Sequence, residues 1–393
     1  WPKPAQTGVD EMNIGDRIVA WSKDEEIKKE GASGGLVTSL LTAALKGELV
    51  DEVIALQKKS EFEGVPIRTS DVDEVIKCSG SLHAAPINLT KFAVRFFEEH
   101  PDGTLALPAK PCDARGIIEQ AKRKKIDLEK TYLIGLNCGG TMGPITTMKM
   151  LEKMYEIDPN EVIEEEIERG KLIFKTEKEE KAISIDELEE AGYGRRENCR
   201  YCEINIPVMA DLACGNWGAG ENETFVEIFT EKGLKLMNNA IELGLIETAP
   251  ATEKGIKIRE KTNGVMEKVA KKWHEKIFVP IEDRLERLHY YMDVMEDCID
   301  CEACKYVCPV CACDESKCID FYDPMDSHKI SIYHLIRLLH LSDSCIGCGQ
   351  CTDVCPAEIP LTTLHRRMAD RIQTKYNYVP GMDMKIPPSF EVE

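Results

Sequence analysis

Residues 298–309 read Cys-Ile-Asp-Cys-Glu-Ala-Cys-Lys-Tyr-Val-Cys-Pro, and residues 345–356 read Cys-Ile-Gly-Cys-Gly-Gln-Cys-Thr-Asp-Val-Cys-Pro. Each is a C-x2-C-x2-C-x3-C-P run, the bacterial spacing that holds 4Fe-4S clusters. The reason is geometric. Three thiolates on a tight loop reach three corners of a cubane, and the fourth, just before a Pro that ends the loop, points to the other cluster. The runs therefore predict one cluster on Cys298, Cys301, Cys304 and Cys355, and another on Cys345, Cys348, Cys351 and Cys308. The competing reading is a pair of zinc sites, but those pair C-x2-C knuckles rather than use this run twice.

Working outward, 11 of the 17 cysteines fall between Cys298 and Cys355 and six precede them. Spacings of two and three residues suit a metal better than a disulfide framework, and thiols at this density imply a reducing interior. The chain has 393 residues, room for two or three domains. Its 50 Lys+Arg against 70 Asp+Glu give a net charge of -20, which argues against nucleic acid as a partner. Hydrophobic residues make up 43%, enough for a packed core. No apolar run approaches the ~18 residues of a membrane span. The opening Trp1-Pro2-Lys3-Pro4 has no apolar signal segment, so the expectation is a soluble, cytoplasmic protein.

Residues 1–285 read as α/β. A Gly-rich turn leads into a helix over 34–46, a strand follows over 49–56, and 104–109 and 131–137 are short apolar strands. A helix is expected over 143–155, a hairpin around Arg169-Gly170, a strand over 225–229 and a helix over 231–243. Alternation of this kind predicts a sheet covered by helices. Residues 254–272 are highly charged and read as a partly helical linker. Residues 286–393 read as a helical, ferredoxin-like domain; residues 282–296 lead into the first cysteine run, and 329–341 read as an amphipathic helix before the second.

In the first part, Cys199-x2-Cys202 stands beside Cys78, Cys112, Cys138 and Cys214. A lone C-x2-C is redox-active, zinc-binding or neither. Cys112 and Cys138, however, each follow a predicted strand and would share the C-terminal edge of a sheet, where α/β proteins place ligands. A third cluster could assemble there, while Cys78 and Cys214 read as buried small residues. Cys311, Cys313 and Cys318 have no assigned role; they would shield the cluster loop or, with His328, hold a further metal.

The motifs Gly31-Ala-Ser-Gly-Gly35 with Thr38, Pro111-Cys112, Asn137-Cys138, Cys199-Arg-Tyr-Cys202, Ala210-Asp211-Leu212 and Asn216-Trp217-Gly218, with the stretch 224–244, occur in order across nearly 250 residues. In this the chain resembles the beta subunits of coenzyme F420-reducing hydrogenase and F420-dependent formate dehydrogenase. The C-terminal two-cluster module and Cys308-Pro-Val-Cys-Ala-Cys313 resemble the formate dehydrogenase branch of methanogens.

The resemblance implies a bound FAD, a 4Fe-4S cluster beside it on Cys112, Cys138, Cys199 and Cys202, and coenzyme F420 as substrate. That makes three 4Fe-4S clusters in all. Electrons from formate, oxidised on a molybdenum- or tungsten-containing partner subunit, would pass through the clusters to FAD, and hydride would pass reversibly to F420. The alternative is an electron-transfer subunit of a hydrogenase or heterodisulfide reductase assembly without hydride chemistry of its own. No side chain is assigned a catalytic proton transfer.

Flavin contacts are expected at Gly31, Ser33, Gly34, Gly35, Thr38, His83, Lys110, Asn216 and Trp217. Amides at the Gly turn and the helix dipole favour a pyrophosphate, though a plain Gly-rich cap reads the same way. Lys110 would stabilise a reduced flavin or be an ordinary surface Lys. His83 would line the pocket or be structural, and Trp217 would contact an aromatic ring or simply pack. The acidic stretch 161–168 reads as a solvated strand face.

Overall fold

Alternation of apolar residues along the strands, facing first one side and then the other, builds a three-layer core. The computed structural model describes residues 12–168, 170–313 and 327–388. Its strands are β1 (Arg17–Ser22), β2 (Glu52–Ser60), β3 (Glu63–Thr69), β4 (Leu105–Ala109), β5 (Thr131–Leu136), β6 (Glu164–Glu168), β7 (Lys171–Lys175), β8 (Glu180–Ser184), β9 (Leu212–Gly215), β10 (Thr224–Ile228) and β11 (Ile246–Pro250). Among the described residues they form a large sheet in the order β11-β1-β10-β9-β5-β4-β2-β3 and a small antiparallel sheet β6-β7-β8.

The period of two is visible in the packing. Val53, Ala55, Ala106, Tyr132 and Ile134 face the helices Leu36–Lys46 and Glu231–Glu242. Ile54, Leu105, Leu107 and Leu133 face the other way, onto Thr90–Glu99 and Pro111–Lys122. β2, β4, β5 and β9 are parallel, which buries both faces. The hairpin expected around Arg169-Gly170 is present as β6 and β7, packed with β8 over Tyr155, Phe174 and Leu188.

The charged stretch read as a linker is instead one continuous helix, Glu253–Ile277. Thr252 caps it by accepting from Gly255 N at 3.0 Å. Two buried anchors hold it: Arg259 on Glu227 at 2.9 Å and the ring of Trp273. Net charge along a segment says little about helicity when one narrow face finds tertiary partners. The far end of this helix reaches the cysteine-rich part through His274 Nε2, 2.8 Å from Asp370 Oδ2.

Among the described residues that part holds the helices Arg284–Met295, Ala303–Tyr306, Ser327–His340, Gln350–Asp353 and Leu361–Tyr376. The two cysteine runs fold alike. Asp300 (φ 57°) and Glu302 (φ 53°) in the first match Gly347 (φ 68°) and Gly349 (φ 84°) in the second. A left-handed residue after each of the first two cysteines bends the loop so that successive thiols turn to one side. The second run meets this demand with glycine; the first places L-residues there, at a conformational cost of about 1–2 kcal/mol each.

Candidate metal and cofactor sites

The strand directions fix which loops share an edge. β10 is antiparallel to both β1 and β9, so β1 runs with β9, β5, β4 and β2. Their C-terminal ends form one rim. Along it follow the Gly31–Gly35 turn after β1, Thr224 at the start of β10, Asn216-Trp217 after β9, Asn137-Cys138 after β5 and Lys110-Pro111-Cys112 after β4. At about 4.8 Å per strand, the Gly turn lies roughly 15 Å from Cys138 along the rim.

The turn is built close to its neighbours. Ser22 N donates to Gly34 O at 2.8 Å, and Thr224 Oγ1 donates to Ser33 O. Gly34 (φ 77°) and Gly35 (φ 69°) are left-handed, and a Cβ on Gly34 would stand 2.2 Å from Asn222 O. Gly31 is closed against Gly35, and Thr38 is buried, accepting from Ser79 Oγ at 3.3 Å. The helix Leu36–Lys46 has no side-chain cap, so its first-turn amides keep their capacity to bind an anion. Asn216 is exposed and Trp217 half-buried, its ring near Gly139.

Cys112, Cys138, Cys199 and Cys202 come together beside this rim. Cys138 is fixed by reciprocal bonds with Asn205, 2.8 Å in each direction. Cys199 and Cys202 sit on and just after the short helix Glu197–Arg200. Burial pushes the Cys138 thiol up to about 12, and Cys199 and Cys202 add to the effect. Burial likewise raises Cys112, with Asp113, Cys138 and Cys199 adding and Lys110 opposing. Cys199 is buried and the other three are half-buried, and the four thiols lie within electrostatic range of one another.

The sets expected from the two runs also assemble as groups. Cys298, Cys301, Cys304 and Cys355 all line one cavity, with Tyr333, His334 and Pro356 among its walls. His334 Nε2 lies 3.0 Å from Cys298 Sγ, and Arg337 Nη1 donates to Cys304 Sγ at 2.8 Å. Cys301 and Ile299 are exposed, so this group opens to solvent. In the second group, Cys308 and Cys345 both act on Cys351, and Cys308 and Cys351 act on Cys348. Thr362 Oγ1 is 3.3 Å from Cys351 Sγ. Among the described residues no three His, Cys, Asp or Glu side chains converge on a point fit for one metal ion.

The second group adjoins the one beside the rim. Cys112 and Cys348 both pack against Cys308, Val310, Cys311 and Ile346. Gly116 makes room, since a Cβ there would meet Pro309 at 3.1 Å. Arg115 donates to Pro380 O at 2.8 Å and to Ile346 O at 3.1 Å, and Gln120 to Pro309 O at 2.7 Å.

Other expected residues are placed differently. Lys110 is no ordinary surface Lys: its ammonium is 2.7 Å from Asp113 Oδ2 and donates to Ile87 O at 2.8 Å. Burial opposes its charge, but Asp113 and the thiols of Cys112 and Cys138 outweigh that and hold it protonated. The acidic strand face is not wholly solvated, because Glu165 turns inward, with its Oε1 3.3 Å from His83 Nδ1. Burial alone would lower His83; the Glu165 carboxylate raises it. Cys214 is buried in the sheet core, and Cys78 packs against that core with its Sγ 3.3 Å from Glu74 O. Cys311 is buried and Cys313 exposed; Cys318 and the His328 side chain lie outside the described residues.

Sequence reasoning missed Arg196 and Arg337, and gave Asn137 no role beyond its place in the Asn137-Cys138 motif. Arg196 and Arg337 each approach a cysteine group from another element. The amide of Asn137 is buried with both polar atoms unpartnered, beside Cys138. Arg337 had one signal, a lone cation in the apolar run LIRLLHL.

Comparison with known proteins agrees with this architecture. Two family models for the beta chain of coenzyme F420 hydrogenase/dehydrogenase match in order, the N-terminal one over residues 17–92 and the C-terminal one over 102–254. A "4Fe-4S dicluster domain" model matches 294–359. The F420-dependent formate dehydrogenase subunit beta of Methanocaldococcus jannaschii is 43% identical over 382 residues, 96% of this chain and 99% of the relative. The F420-dependent formate dehydrogenase 1 subunit beta of Methanococcus maripaludis is 37% identical over 94% of this chain and 96% of its own length. A chain in the xenon-derivatised F420-reducing [NiFe] hydrogenase complex of Methanosarcina barkeri shares the fold, with a TM-score of 0.58 at 18% identity over 72% of this chain and 96% of that one. Among the described residues no helix is long and apolar enough to cross a membrane. The chain belongs to the family of F420-dependent formate dehydrogenase beta subunits, an oxidoreductase family, here with an iron–sulfur module at its C-terminal end.

Proposed function

We propose that this chain receives electrons from formate oxidation on a metal-containing partner subunit, passes them through three 4Fe-4S clusters to FAD, and transfers hydride reversibly to coenzyme F420. The observation that carries the reading is the order of the thiol groups. A group with an exposed member, Cys301, is followed by one with no exposed cysteine, which adjoins a third beside the rim that carries the Gly turn.

The ligand sets would be Cys298, Cys301, Cys304 and Cys355; Cys308, Cys345, Cys348 and Cys351; and Cys112, Cys138, Cys199 and Cys202. A flavin, when bound, exchanges single electrons with a cluster and a hydride with a deazaflavin. The amides of Gly34, Gly35 and the first helical turn would bind its pyrophosphate. The unpartnered Asn137 amide suits a polar ring edge, and Trp217 would cover a ring and exclude water. Lys110 holds a positive charge beside Cys112 and Cys138 and favours added electrons there. Two domains, 1–285 and 286–393, would divide the flavin chemistry from electron entry.

Anaerobic purification with quantitation of iron, sulfide and flavin, then F420 reduction by formate with the partner subunit, tests the reading. Three clusters' worth of iron, one flavin and formate-dependent F420 reduction are expected. Intact clusters without flavin would refute the hydride step and leave an electron-transfer subunit.

A further inference from the structure

The cysteine group on Cys308, Cys345, Cys348 and Cys351 and the group beside the sheet rim meet across three arginines: Arg115 and Arg366 act on Cys202 and Cys345, and Arg196 hydrogen-bonds toward both groups. Arg196 is the N-cap of the helix Glu197–Arg200 and its side chain is only 8% exposed. Thr141 fixes it from both ends: the backbone N donates to Thr141 O at 2.9 Å and Nε to Thr141 Oγ1 at 3.1 Å. Nη2 lies 3.7 Å from Cys199 Sγ and donates to Cys348 O at 3.1 Å, while Nη1 pairs with Asp353. The adjacent Asn198 reaches the same loop, donating to Gly347 O at 3.3 Å. Gly349 permits the close approach, since a Cβ there would stand 2.3 Å from Asn198 Oδ1.

Resting on the three-cluster reading above, we propose that Arg196 is the positioning residue for electron hand-off between the cluster on Cys345, Cys348, Cys351 and Cys308 and the cluster on Cys112, Cys138, Cys199 and Cys202. It sets the reduction potentials of both and clamps their separation. The guanidinium is permanently charged, planar and desolvated here, so it favours the more negative, reduced form of either neighbour. Asp353 moderates that field. The hand-off is a single electron: one cluster is oxidised, the other is reduced, and no proton moves.

The test is a redox titration of the anaerobic holoprotein followed by electron paramagnetic resonance. Arg196→Gln is expected to lower both neighbouring potentials by at least a tenfold change in reduction equilibrium, 59 mV for one electron. The cluster on Cys298, Cys301, Cys304 and Cys355 should not shift. Arg196→Lys should restore most of the change, and Asp353→Asn should move the two potentials upward. If Arg196→Gln does not fold, the upward shift in Asp353→Asn still tests the proposal. Three intact signals with unchanged potentials, or one shift shared by all three, would overturn it. Wild-type protein lacking one of the three signals would overturn the cluster reading instead.

Discussion

Glu119 decides how firmly the cysteine-rich part is held against the sheet. It is fully buried on the helix that begins at Pro111. Its Oε1 accepts from Lys122 Nζ at 2.7 Å, Tyr378 OH at 2.7 Å and Gly381 N at 2.8 Å. Oε2 pairs with Arg123 Nη1 at 2.9 Å, and Arg123 also donates to Ser344 Oγ, next to Cys345, at 2.7 Å. Glu119→Ala leaves two cations without their shared carboxylate and a hydroxyl and an amide without an acceptor. Breaking a buried pair in this way costs about 3–5 kcal/mol. The loss falls first on local opening of the strap around Tyr378 and Gly381, because those contacts bind it to the helix Pro111–Lys122. Amide hydrogen exchange on the holoprotein should then speed up there by roughly 100- to 4,000-fold, at about 1.4 kcal/mol per tenfold. Glu119→Gln keeps an acceptor for Tyr378 and Gly381 but not the charge, and should fall between. If either variant folds with exchange in this stretch unchanged, Glu119 is not the latch.

Cys355→Ser should remove the signal of the cluster completed by Cys298, Cys301 and Cys304 and spare the other ferredoxin cluster, with Cys308→Ser doing the reverse; iron counts and resonance spectra read the outcome, and loss of the neighbouring cluster in the same run would break the crossed pairing. Gly34→Ala puts a Cβ 2.2 Å from Asn222 O in a left-handed residue, which costs at least about 1–2 kcal/mol and should lower flavin content while iron stays constant. His365 is held neutral, pushed down to about 3 by burial and then by Arg337 and His334. Its folded value lies below the ordinary one near 6.5, so the unfolded chain takes up the proton first as pH falls. Stability should decline from pH 6.5 downward at up to about 1.4 kcal/mol per pH unit. His365→Phe should flatten that slope in denaturant titrations, and an unchanged slope would exclude His365 as its source.

Much of the local structure is legible in the sequence because it is set by short-range geometry. The strands before Cys112 and Cys138 are apolar runs closed by loops, and their observed bounds lie within a residue or two of the expected ones. The helix after the Gly turn and the hairpin at Gly170 follow from turn chemistry. The helix Glu253–Ile277 escapes such a reading because its charge pattern hides two anchors, Arg259 and Trp273, whose partners lie elsewhere in the chain. Glu165 escapes it for the same reason: only the fold brings His83 beside it.

Residue spacing alone dictates the thiol sets within each run, since gaps of two and three residues force three cysteines onto one loop whatever surrounds them. The family, too, is written in the linear order of motifs over the first 250 residues. The order of the cysteine groups and the charges between them are products of packing. Arg337 reaches Cys304 across 33 positions, and Arg196 reaches Cys348 across 152. Hydrophobic periodicity records which face of an element is buried, but not which distant cation that burial strips of water and sets beside a thiol. Desolvation makes such a charge strong, and desolvation is a property of the packed chain.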